Sequence, residues 1–178
     1  MKKILVITSI VMLSLQAHSQ SVMGINFGLS EDEVYQALEA RFNSYEINKS
    51  AGKIELLLEF NIGDVNFHYG SFEFQRRGEE SYFNYAHFEK HYTANNVQSA
   101  IIEREYIRDV IYSKYKEIRR YKNSQGYYCY RFGTDPKNEN RYLGEITLSK
   151  LKVNDGKVRL YLFLDYGPIY YIDKNSDF

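Results

Sequence analysis

Ser30 and Glu33 carry the pattern of a capping box, and no other feature constrains the fold of this chain so tightly. The serine hydroxyl accepts from the amide of the third helical residue, whose carboxylate reaches back to the serine amide. Two otherwise orphaned donors are satisfied, so a helix has to begin here. Leu29 before the cap and Val34 inside it form a hydrophobic staple, while Glu31, Asp32 and Glu33 place negative charge at the positive end of the helix dipole. Val34, Ala37, Leu38 and Phe42 recur at helical spacing, which turns one stripe towards a core and leaves Glu39 and Arg41 in water. A one-sided helix needs a second layer to cover it.

Much of the chain beyond this helix alternates with the period of a strand. Residues 54–60 read as one strand, with Leu56, Leu57 and Leu58 in a row pointing to burial on both faces. Residues 65–74 read as two short strands, or as one strand bulged at Gly70, and residues 81–91 close a first half. Residues 97–121 hold no proline or glycine and read as one long helix. Its stripe of Val97, Ala100, Ile101, Ile107, Ile111 and Ile118 is widened by Ile102, Tyr106 and Val110, so burial on more than one side is expected. Residues 127–132, 141–153 and 157–166 read as strands, with a break near Ser149. Asn154-Asp155-Gly156 is a strong hairpin signal between the last two, and Gly167-Pro168 stops the final strand. The tail beyond it is aromatic and then polar, so its beginning docks and its end frays.

The two parts share an order. Each has a helix, then Gly52 or Gly126, then a strand ending in Phe60 or Phe132. Gly63-Asp64-Val65-Asn66-Phe67 then matches Gly144-Glu145-Ile146-Thr147-Leu148, and Phe72-Glu73-Phe74 matches Leu151-Lys152-Val153. The offset is roughly 72 to 81 residues, long enough for one helix and three or four strands. The expected fold is α+β, with two helices packed on one face of a mostly antiparallel sheet of about six to eight strands. It divides into two related αβββ halves, residues 24–92 and 93–178.

Residues 1–19 have the three parts of a signal peptide: Lys2 and Lys3, an apolar run over 4–15, and Ala17-His18-Ser19 before a cleavage point at Gln20. The apolar run is shorter than the roughly 20 residues that a membrane span needs, and no cysteine stands near the cleavage point to carry a lipid. The expected product is an exported bacterial protein of the periplasm or exterior, a single domain over residues 20–178 with no membrane span after cleavage. Twenty-three basic side chains balance 23 acidic ones, and losing Lys2 and Lys3 tips the balance slightly acidic. That argues against nucleic acid and anionic membranes as partners. Cys129 is the only cysteine, so no internal disulfide can form and packing must hold the fold. Eighteen tyrosines and eleven phenylalanines, with no tryptophan, supply that packing. Tyrosine in a strand often lays its ring on the sheet and its hydroxyl in water.

His87 and His91 have the four-residue spacing that binds zinc on a helix, but here they fall on a strand, roughly 13 Å apart at about 3.3 Å per residue. His68 joins them only if its strand is a neighbour, so no metal is expected. Cys129 sits among Tyr127, Tyr128 and Tyr130 and reads as a buried, inert thiol. Lys114, Lys116, Arg119, Arg120 and Lys122 read as the cationic end of the long helix, which stabilises its negative pole. Lys116, Arg119 and Arg120 are kept as a patch for an anion or an acidic partner. Residues 135–140 are rich in oxygen, but the lysine at the third position and the missing glycine break the calcium-loop pattern. There is no Gly-x-Ser-x-Gly elbow, no His-Glu-x-x-His, no phosphate cradle and no repeated Cys-x-x-Cys, so no catalytic residue is nominated and no cofactor is expected. The expected function is non-catalytic binding of an envelope or extracellular protein by an aromatic and histidine-bearing sheet face, with His68, Tyr85, His87 and Tyr161 as its markers. The alternatives are a small envelope hydrolase without a local motif and, less favoured without tryptophan, a glycan-binding module.

The string Ile25-x-Phe27-Gly28-Leu29-Ser30-x-x-Glu33-Val34 resembles the repeat opening of the β-lactamase inhibitory protein family and of the related small lipoprotein of the outer-membrane β-barrel assembly machine. The resemblance implies helices on one face of an antiparallel sheet and recognition by the open, aromatic-rich face. The second half here lacks the motif, and the inhibitor's cysteine pairs and the lipoprotein's anchoring cysteine are both missing.

Overall fold

A computed structural model describes residues 20–116, 118–154 and 156–170. Residues 1–19, read above as a signal peptide, and the end of the tail, 171–178, lie outside the described residues. A small ladder of β1 (Ser21–Val22) and β2 (Ile25–Asn26) precedes α1 (Glu31–Glu39). The capping box forms: Ser30 N–H donates to Glu33 Oε2 at 2.9 Å and Glu33 N–H donates to Ser30 Oγ at 3.4 Å. Phe27 stacks on Phe83 with ring centroids 4.6 Å apart, and Gly28 and Leu29 exchange backbone hydrogen bonds with Phe83, so the motif before the cap fastens α1 to the sheet.

The first half continues with β3 (Ile47–Ser50), β4 (Lys53–Leu56), a two-stranded hairpin of β5 (Phe60–Ile62) and β6 (Val65–Phe67), then β7 (Tyr69–Arg77) and β8 (Glu80–Tyr92). The second half is α2 (Val97–Tyr115), β9 (Ile118–Lys122), β10 (Tyr128–Phe132), β11 (Gly144–Lys152) and β12 (Val158–Tyr166). Eight strands form one antiparallel sheet in the order β3-β4-β7-β8-β12-β11-β10-β9. The order is palindromic by half: each half is a helix followed by a four-strand meander, and the two last strands pair at the centre.

Both helices lie on the same face. Leu56 stands opposite Gly70, Gly70 opposite Phe88, Phe88 opposite Leu164, and Leu164 opposite Ile146, which carries one core row across five strands. Val34 and Leu38 of α1 and Ile107 and Ile111 of α2 share one continuous core with these residues. Burying a side chain of this size contributes about 1.5–3 kcal/mol, so this single core holds the fold where no disulfide can. Gly70 is small because Phe60 fills its space: an added Cβ would lie 2.9 Å from the Phe60 ring and 3.1 Å from Phe88.

The structure corrects several expectations. The strand read over 54–60 ends at Leu56, and Phe60 opens the separate β5–β6 hairpin, so Phe60 and Phe132 do not end equivalent strands. By position in the sheet, Gly144-Glu145-Ile146-Thr147-Leu148 matches β7, not the 63–67 segment. The break in residues 65–74 falls at His68, not at Gly70, and the bulge lies in β8, where Asn84 is the extra residue between Tyr85 opposite Glu73 and Phe83 opposite Phe74. β11 runs unbroken through Ser149. The long helix stops at Tyr115, because Lys116 takes the left-handed conformation at φ 59° and the chain turns into β9. That helix is also one-sided: Ile102, Val110 and Tyr112 are exposed, since only the sheet lies beneath it. No helix among the described residues is long and apolar enough to cross a membrane.

Candidate functional site

The helix-free face is set by the pleat. One row of side chains crosses seven strands in register: Glu55, Ser71, His87, Asp165, Glu145, Arg131 and Arg119. Directly opposed side chains on one face interact across each strand pair. Beside this row run Tyr69, Glu89, Phe163, Thr147, Cys129 and Tyr121, and beyond them His91, Tyr161 and Ser149.

Three carboxylates on this face are each held by one tyrosine hydroxyl and one cation. Glu55 Oε1 accepts from Tyr69 and from Lys53, whose Nζ is 2.8 Å away. Hydrogen bonds from Lys53 and then Tyr69 hold the Glu55 carboxyl down at about 2. Asp165 Oδ1 accepts from Tyr85 and from His87 Nδ1 at 2.7 Å. Burial works against charge on His87, but hydrogen bonds to Asp165 and Glu89 outweigh it and raise its pKa to about 9. The ring is therefore an imidazolium at neutral pH, with Nε2 3.7 Å from Glu89 Oε2. Glu145 Oε1 accepts from Tyr121 at 2.8 Å and from Arg131 Nε at 2.7 Å. Burial and then these carboxylates push the phenols of Tyr85 and Tyr121 well above their ordinary value.

An aromatic strip joins the clusters. Tyr161 stacks on Phe163 at 5.7 Å, Phe163 meets His87 at 5.3 Å, and His91 meets Tyr161 at 6.1 Å. All four residues marked from the sequence belong to this face, but they do not form one cluster. Tyr85 and His87 meet through Asp165, while His68 pairs with His91 at the other end, Nδ1 to Nδ1 at 3.0 Å, and accepts the His91 amide at 3.2 Å. Tyr161 is only 8% exposed, so it shapes the strip more than it offers itself. Sequence reasoning missed Phe163 and Asp165, although both alternate with Tyr161 along β12, and missed Glu145, Arg131 and Tyr121, whose roles depend on strand register.

His87 and His91 lie two pleats apart, and each has a different partner. Among the described residues no group of three or more His, Cys, Asp or Glu could hold a metal ion. Cys129 is fully buried, its thiol directed at Tyr127 O, 3.7 Å away. The basic run is a helix end only in part: Lys114 lies in the last turn of α2 and Lys116 caps it, whereas Arg119 and Arg120 are successive residues of β9 and point to opposite faces, Arg119 to Tyr142 Oη and Arg120 over the Tyr128 ring. Asp135 is buried and accepts the Lys137 amide at 2.8 Å, which makes the 135–140 segment a self-capped loop.

Two clefts, both open to solvent, flank Pro168 at one end of this face. One of about 390 Å³ is lined by Arg131, Arg141, Tyr142 and Glu145, and one of about 550 Å³ by Glu73, Gln75, Tyr85 and Tyr170. Comparison with protein-family models, with curated proteins and with solved structures finds no match for the chain.

Proposed function

We propose that this protein is an exported, non-catalytic binding protein of the bacterial cell envelope, whose helix-free sheet face engages a protein or peptide partner. The observation that carries the reading is the set of three carboxylate, tyrosine and cation clusters spread across that face and joined by an aromatic strip. Side chains already fixed in hydrogen bonds lose little freedom on binding, and rigid aromatic rings give contact area at low entropic cost. The clefts beside the face are open, whereas a small-molecule site normally encloses most of its ligand. Export rests on the three-part leader of residues 1–19. The palindromic strand order supports an origin by duplication of an αββββ unit, with β5–β6 inserted in the first copy. The same layout, with two helices on one face, agrees with the resemblance to the β-lactamase inhibitory protein family.

One observation favours the hydrolase alternative: Ser71, His87 and Asp165 stand in one row. Three facts weigh against it. Ser71 is 1% exposed, His87 presents Nε2 to Glu89, and a ring already protonated at neutral pH cannot take a proton from serine.

The test immobilises the purified protein and exposes it to envelope extract, beside Arg131→Glu and Phe163→Ala on the open face and Ile102→Glu on the outer side of α2. A partner retained by wild type and by Ile102→Glu but lost from both open-face variants is the expected result. Intact mass of the material recovered from cells reports removal of the first 19 residues. If no protein is retained and a panel of esters, peptides and glycans is turned over, the binding reading is wrong.

A further inference from the structure

We propose that the free edge of β9 takes an acidic, extended peptide segment as a ninth strand of the sheet. Among the described residues β9 ends the sheet and pairs on one side only, with β10. The hairpin fixes which backbone groups are spare. Asn123 N–H donates to Tyr127 O at 3.0 Å, and the register continues with Tyr121 opposite Cys129 and Arg119 opposite Arg131. Antiparallel ladders exchange hydrogen bonds at every second pair. Arg119 and Tyr121 thus use their amides and carbonyls on β10, and Ile118, Arg120 and Lys122 turn theirs outward.

The charged side chains described at this edge are cationic. Lys116, Arg119, Arg120 and Lys122 are all exposed, and among the described residues none of them meets a carboxylate at ion-pair distance. Aromatic rings hold them instead: Arg120 and Lys122 lie 4.5 and 4.9 Å from the Tyr128 centroid, Lys116 lies 5.9 Å from that of Tyr112, and Arg119 donates to Tyr142 Oη at 3.0 Å. The opposite edge differs. On β3, Lys49 is paired with Asp32 at 2.6 Å and Asn48 donates to Glu55.

Charge and backbone chemistry together select the occupant. A second copy pairing antiparallel through β9 would set arginines and lysines against their own kind, and like charges directly opposite are destabilising. A nucleic acid would meet the cations but has no row of N–H groups for the outward carbonyls of Ile118, Arg120 and Lys122. A strand with carboxylates at alternating positions satisfies both, which is recognition by strand addition.

The test titrates the purified protein into a short labelled peptide of alternating glutamate and valine, followed by fluorescence anisotropy, with a lysine-valine twin and a twin interrupted by proline. Only the glutamate peptide is expected to bind, more weakly as salt rises. Saturating peptide should slow amide hydrogen exchange at Ile118, Arg120 and Lys122 and leave Arg119 and Tyr121, already bonded to β10, unchanged. Arg120→Glu with Lys122→Glu should weaken binding at least about tenfold. Arg120→Gln with Lys122→Gln replaces it if far-UV circular dichroism shows the reversed variant unfolded. Failure of the glutamate peptide to bind, binding without protection of those three amides, or equally tight binding of a thymidine oligonucleotide that the same variants abolish would each overturn the proposal.

Discussion

Replacing His87 with glutamine should remove a pH dependence of stability that the wild-type fold carries above neutrality. The imidazole is held between Asp165 and Glu89 and titrates near 9, against an ordinary value of about 6.5 in the unfolded chain. A group whose folded pKa is raised contributes stability that is fully present below the unfolded pKa and is lost as pH climbs through the folded one. At about 1.4 kcal/mol per unit, the gap is worth about 3 kcal/mol. The His87 side chain keeps 23% of its surface in water, so screening brings the expected figure nearer to about 2 kcal/mol. Urea unfolding of wild type should therefore show a midpoint that is flat up to about pH 6.5 and falls between there and pH 9–10. Tyr85, on the same carboxylate, keeps its proton throughout this window because burial and Asp165 raise its pKa. The His87→Gln protein, still able to donate to Asp165, should start less stable and show no such fall. A His87 ring that titrates near 6.5 by NMR, or a variant that keeps the full slope, would refute the reasoning.

Local geometry sets two further outcomes. Ser30→Ala removes the acceptor for the Glu33 amide and should lower stability by about 1 kcal/mol, read as a shifted urea midpoint at constant slope. Gly144→Ala would place a methyl group 2.2 Å from the Asp165 carbonyl and 2.4 Å from the Phe132 ring, at the joint between β11 and β12. Neither backbone nor a packed ring gives way cheaply, so a loss of about 3 kcal/mol is expected, and thermal unfolding unchanged from wild type would contradict the close packing there.

What could be read from the sequence was what is local. The capping box and the alternation of β8 and β12 act within a few residues, and the first helix, the last strands and the side of the sheet that carries Tyr85, His87 and Tyr161 followed from them. The end of α2 left no local signal: Lys116 adopts a left-handed conformation usually taken by glycine or asparagine, so the helical pattern ran on into β9. The β5–β6 hairpin was hidden because Phe60 continues the apolar run of β4 in sequence while its ring turns back into the space left by Gly70. The partners of His87 lay furthest out of reach. Asp165 is 78 positions away and meets the ring only because the two halves join through their last strands.

The tyrosines decide how the two proposed surfaces differ. Their hydroxyls were expected in water, yet Tyr69, Tyr85 and Tyr121 on the open face donate to Glu55, Asp165 and Glu145, and Tyr92 and Tyr130 on the helix side donate to Glu103 and Glu105. Each of these carboxylates also holds a cation: Lys53, His87, Arg131, Lys90 and Arg104. Tryptophan could not do this for the same geometry, since a phenol both donates from the ring's far end and accepts from a lysine, as Tyr69 does from Lys53 at 2.9 Å. These open-face carboxylates are therefore paired and fixed before any partner arrives, and what the face offers is shape and ring edges. β9 instead carries cations that meet no carboxylate among the described residues, since rings hold its arginine and lysine without neutralising them. A partner that reads both would lay its own apolar surface on the sheet and feed an acidic strand to the edge. Raising the salt concentration should then weaken the edge contact steeply and the face contact little.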